Sequence, residues 1–96
     1  MRAVVVITDS EAMLTFERRF LDDGQRGFTI VPTAVGRGKT GLKAGDRVHP
    51  GASSLLFTVV EDGDVDETLA FLKGIREAAR AEQVTKIYVA TAEEVR

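Results

Sequence analysis

At 96 residues, 44% hydrophobic and 29% charged, the chain has the size and composition of one globular domain. It has no cysteine, which excludes disulfides, iron–sulfur clusters and thiolate zinc sites, and its early apolar run over residues 3–7 is too short to span a membrane. The net charge of −2 is unevenly spread: residues 33–53 hold Arg37, Lys39, Lys43 and Arg47 against Asp46 alone, a local +3 that leaves −5 for the rest.

Residues 2–8 are a nearly unbroken β-branched run, the pattern of a central strand. Asp9 or Ser10 then caps a helix in which Met13, Phe16 and Phe20 recur at helical spacing, and Asp22-Asp23-Gly24 ends it. Residues 27–32 (GFTIVP) read as a second strand, placed at a sheet edge because Pro32 cannot donate to a ladder. Residues 54–61 form a third strand, strongly apolar and predicted to be central. Asp64 followed by Glu67 matches a capping box and opens a second helix, with Val65, Leu69, Leu72, Ile75 and Ala79 as its buried stripe. Residues 85–91 are a fourth strand and residues 92–96 a short tail.

This order predicts a single α+β domain over residues 1–96, the ferredoxin-like split βαβ arrangement (βαββαβ). Its four-stranded antiparallel sheet has the order four-one-three-two, with both helices on one face. The other face is left uncovered. Val4, Val6 and the alternating residues of strands one, three and four make it apolar, which predicts an interface.

A minimal version of this fold joins strands two and three by a short hairpin, yet about 21 residues intervene here. Loops of that length in compact domains are usually functional or disordered. The segment holds five of the nine glycines and is expected to be mobile until an anion or partner orders it. Its VGRGKTG stretch ends like a Walker loop. However, the first glycine of that motif is replaced by Thr33, and Gly41 and Gly45 follow where a helix should start. Glycine amides beside Arg37 and Lys39 still suit anion recognition, against the bland reading of a solvated, flexible excursion. His49 in Val48-His49-Pro50-Gly51 reads as a turn residue, and no metal site is expected. The pairs Asp22-Asp23, Glu61-Asp62 and Glu93-Glu94 read as caps and solvated ends, so no catalytic dyad is expected either. Phe57 is the only aromatic in the two central strands, too few for base stacking, and nucleic acid is not an expected partner.

Further local marks are Gly36-Arg37 entering the long loop, Glu77-Ala78-Ala79-Arg80 ending the second helix, Lys86-Ile87-Tyr88-Val89 in the last strand, and the tail Ala92-Glu93-Glu94-Val95-Arg96. With the long basic loop, these make the whole chain resemble the P-II (nitrogen-regulatory) signal-transduction superfamily. The short early apolar run makes a cytoplasmic protein the default expectation. The resemblance implies a non-catalytic homotrimer that binds an adenine nucleotide (ADP, ATP or AMP) or a related small anion in clefts between subunits. It implies signalling to a target protein through the loop, without a cofactor or membrane insertion. Gly36, Arg37, Gly38, Lys39, Lys86 and Arg96 are then the nucleotide or anion site, and Lys43, Arg47 and His49 the partner-binding loop. The sequence departs from the family pattern at several points, among them the missing second arginine expected after Arg96. Gly38 stands where glutamine follows Gly-Arg, Gln83-Val84-Thr85 replaces Gly-Asp-Gly before the lysine, and the loop tyrosine is absent. An alternative resemblance is to the divalent-cation-tolerance family, a metal-associated trimer of the same topology.

Overall fold

The computed structural model describes the backbone of residues 1–34, 36–38, 41–43 and 53–96, and the side chains of 1–32 and 53–96. The four expected strands are β1 (Arg2–Asp9), β2 (Thr29–Ala34), β5 (Ser53–Val60) and β6 (Lys86–Thr91), joined by helices α1 (Ser10–Asp23) and α2 (Val65–Ala78). They form one antiparallel sheet in the order β2-β5-β1-β6, the split βαβ topology. β1 and β5 are central, as their apolar runs predict.

β2 is an edge strand, and its ladder with β5 shifts register between Val31 and Ala34, around Pro32. Proline's missing N–H makes that interruption cheap at an edge.

Burial alternates along β1, with Val4, Val6 and Thr8 fully enclosed. They and Leu56 pack against Met13, Phe16 and Phe20 of α1 and Leu72 and Ile75 of α2, so both helices cover the same face. The uncovered face was expected to carry Val4 and Val6; instead it carries the opposite parity. Val5, Phe57 and Tyr88 share one row of it, and Ala3, Val59 and Ala90 another. Phe57 is 38%, Val59 56% and Tyr88 55% exposed. The sheet is apolar on both sides, and alternation alone could not say which side the helices choose.

The ends of α1 follow local chemistry and the start of α2 does not. Asp9 caps α1 by accepting from the Ala12 N–H (2.8 Å), and Gly24, at φ 69°, closes it by donating to the Phe20 carbonyl (3.2 Å). The expected capping box at α2 does not form. A 3-10 turn (Asp62–Asp64) leads into α2, the Asp64 side chain makes no cap bond, and Glu67 pairs with Arg26 instead. Arg26 also binds Asp23 (2.9 Å) and lies 4.3 Å from the centre of the Phe71 ring. Asp23 is therefore an ion-pair partner as well as a helix-end acid. Asp62 accepts from the Met1 ammonium (2.7 Å), which with nearby Arg2 holds its carboxyl below the usual range.

Inside the expected loop of residues 33–53 lies a small hairpin, β3 (Gly36–Gly38) paired with β4 (Gly41–Lys43). Residues 41–43 thus form a strand and not a helix, in keeping with the failed Walker pattern.

Candidate functional site

The ends of the strands decide which candidate residues share a neighbourhood. β2 runs into residues 35–52 from Ala34, and β5 emerges from them at Ser53. The pairs Ala34–Ser53 and Ser53–Asp9 put both roots of that segment at the Asp9 end of β1. Lys86, the first residue of β6, pairs with Ile7 at this same end. It is exposed and stands on the bare face, in the row of Ile7, Leu55 and Val31. Lys86 and the loop roots thus share one end of the sheet, but Lys86 is on the β6 edge, the Ala34 root on the opposite β2 edge and the Ser53 root on central β5. Three and two strand spacings separate the roots from Lys86, roughly 14 and 10 Å.

The remaining candidates divide. Gly36, Arg37 and Gly38 form β3, with Gly36 opposite Lys43 and Arg37 opposite Leu42. Lys39, Arg47 and His49 lie outside the described residues, as does most of the long segment in which mobility was expected. Arg96 is not brought near Lys86 along the strand. The tail follows Thr91, the far end of β6, where the Ala92 N–H donates to the Met1 carbonyl (3.1 Å). The Arg96 side chain is solvated and lies 3.4 Å from Glu94.

The connection into Lys86 is short and locally tense. α2 ends with the Arg80 N–H donating to Glu77 (3.0 Å) and the Ala81 N–H to Arg76 (3.0 Å), while Arg80 itself takes φ 53°. That left-handed position usually belongs to glycine. Five residues later Thr85, buried, shares a 2.7 Å hydrogen bond with Thr8. Ser54, also buried, donates to the Pro32 carbonyl (2.7 Å) and lies 3.3 Å from the Ser10 hydroxyl. Thr8 and Ser54 are ladder partners, so hydroxyls line the enclosed side of the sheet just beneath the loop roots and Lys86. Sequence reasoning passed over this row. Its signal was a polar residue at each inward position where β1 and β5 should carry another aliphatic.

An open cleft of about 390 Å³ lies at the opposite end of the sheet, bordered by Arg26, Thr58, Glu61, Asp64 and Glu67. Arg26 is already committed to Asp23 and Glu67, which leaves the cleft acidic and unsuited to an anion. Among the described residues no group of histidine and carboxylate side chains is placed to hold a metal ion, and no helix is long and apolar enough to cross a membrane.

The family model for nitrogen regulatory protein P-II matches residues 1–96, the whole chain. No curated protein sequence matches. Among solved structures, CPII from Thiomonas intermedia K12, a nitrogen regulatory PII-like protein, is similar in two forms. One, bound to ADP, AMP and bicarbonate, aligns with a TM-score of 0.60 at 22% identity over 93% of this chain and 84% of that one. The other, bound to ADP and bicarbonate, aligns with a TM-score of 0.59 at the same identity and coverage. At that identity the likeness speaks for the fold, and the family rests on the full-length match. The chain belongs to the nitrogen regulatory protein P-II family.

Proposed function

We propose that this chain is a non-catalytic, cytoplasmic regulator that assembles as a homotrimer, binds an adenine nucleotide or related small anion in its subunit clefts, and signals to a target protein through residues 35–52. The observation that carries this reading is the shared end of the sheet. Lys86 and both roots of a segment rich in glycine and cations lie there, beside an apolar face that no described helix covers. Within one chain two to three strand spacings, roughly 10–14 Å, separate Lys86 from the loop roots, a wide gap for gripping one phosphate group. Closing the bare faces of several copies against each other would bring one copy's Lys86 edge to another's loop edge. The ADP, AMP and bicarbonate bound to the Thiomonas protein make these ligands the first to test.

In this reading Gly36 to Lys39 supply backbone amides and positive charge for the phosphates, Lys86 reaches them from the facing edge, and Arg96 adds charge from a tail. Lys43, Arg47 and His49 face the target. Gly38 in place of the family's glutamine removes an amide side chain from the ligand set, which favours a small anion such as bicarbonate beside the nucleotide over a larger chelating acid.

Isothermal titration with ADP, AMP and bicarbonate tests the assignment by contrast between positions. A charge-assisted hydrogen bond is worth roughly 1.5–3 kcal/mol. Arg37→Ala and Lys86→Ala should therefore weaken ADP binding about ten- to a hundredfold. Lys43→Ala should leave ADP affinity nearly unchanged and reduce capture of the target. Equal losses at all three positions would reduce the site to non-specific attraction, and tight binding of copper or zinc without ADP binding would point to the metal-associated family.

A further inference from the structure

We infer that Thr85 is a positioning residue for Lys86, acting through its buried hydrogen bond to Thr8; this rests on the nucleotide reading of Lys86 given above. β6 is an edge strand whose only ladder neighbour among the described residues is β1. Its first residue, Lys86, is held by one pairing with Ile7, and the residues before it are a turn. Strand ends of this kind fray, because few backbone bonds oppose opening. The Thr8–Thr85 contact lies one step beyond the last ladder pair, where fraying would start.

Both threonines are enclosed, at 1% and 2% exposure, and the hydroxyls are 2.7 Å apart. A buried hydroxyl that loses its partner keeps its desolvation cost, so the pair opposes opening more strongly than a solvated contact would. Thr85 and Lys86 point to opposite faces of the strand. Pinning Thr85 on the helix side therefore fixes where the Lys86 side chain leaves on the bare side. A flexible Gly-Asp-Gly lead-in would lack such a pin, and this chain, with Gln83-Val84-Thr85, builds it from a β-branched residue and a hydroxyl. The same row continues through Ser54 to the Pro32 carbonyl, so the loop roots are tied down on the same level.

The test uses the full chain, with Thr85→Val keeping the shape and Thr85→Ser keeping the hydroxyl. Hydrogen exchange on ligand-free protein should show faster exchange at the amides of residues 86–88 in Thr85→Val than in wild type or Thr85→Ser. Titration with ADP should show affinity about three- to tenfold weaker for Thr85→Val, recovered by Thr85→Ser. In a Lys86→Ala background the valine substitution should cost nothing further, because a positioning residue has nothing left to position. Unchanged exchange in Thr85→Val overturns the inference without reference to nucleotide. An equal ADP loss with and without Lys86 also overturns it, by making Thr85 a general stabiliser. If Lys86→Ala alone leaves ADP affinity intact, the nucleotide reading itself fails and Thr85 is left with a packing role only.

Discussion

Arg26 shows how one side chain can do work that sequence pattern assigns elsewhere. It sits just after α1, yet it binds Asp23 at that helix's end, Glu67 in the first turn of α2, and the face of Phe71. Its side chain is mostly enclosed, whereas that of Glu67 is largely solvated. The two ends of the same ion pair therefore carry different weight. Arg26→Ala should lower unfolding stability by about 2–3 kcal/mol, combining the charged hydrogen bond to Asp23 with the ring contact. Glu67→Ala removes an exposed contact and should cost about 1 kcal/mol or less. Urea denaturation of the two variants separates them, and equal losses would mean that the contribution of Arg26 runs through its solvated pair with Glu67.

At the scale of elements, the fold was legible wherever one periodic signal dominated. The β-branched run of β1, the Met13–Phe16–Phe20 spacing and Asp9 at the start of α1 all did in the structure what their chemistry predicts. The missing capping box has its cause in competition from a partner distant in sequence. Glu67 forgoes the local cap for Arg26, 41 residues away, and Thr68 is buried beside the expected stripe of α2 while Val65 is only half-covered. The candidate site was legible as a list of cations and glycines but not as a geometry. Nothing local says that Lys86 and the β2 root of the loop lie on opposite edges, since that follows from strand order. The exit of α2 is a further local conflict. Arg80 takes the left-handed position that completes the two helix-closing hydrogen bonds, at a steric cost of roughly 1 kcal/mol or more that glycine escapes. Arg80→Gly should accordingly raise stability by about 0.5–1 kcal/mol in thermal unfolding. A loss of that size would show that the Arg80 side chain contributes more than its backbone costs.

For the whole molecule the bare sheet face is decisive. Val5, Ile7, Leu55, Phe57, Val59 and Tyr88 line it, and partial exposure of several large apolar residues on one flat surface is the mark of a buried interface. Sedimentation equilibrium at micromolar concentration should give three times the 10.4 kDa mass of the chain. Val59 offers a test that leaves the candidate site untouched. It pairs with Ala3, whereas Lys86 pairs with Ile7, four residues along the same strand and roughly 13 Å away. Val59→Asp costs a lone chain little, because the position is solvated there, but in an assembly it buries an unpaired carboxylate. The variant should sediment as a folded monomer. If the cleft needs two copies, it should also lose ADP binding, although no proposed ligand contact has changed. A folded monomer that binds ADP as tightly as the wild type would place the whole site within one chain. In that case residues 35–52 would have to span the sheet's end to meet Lys86, and the bare face would serve some other contact.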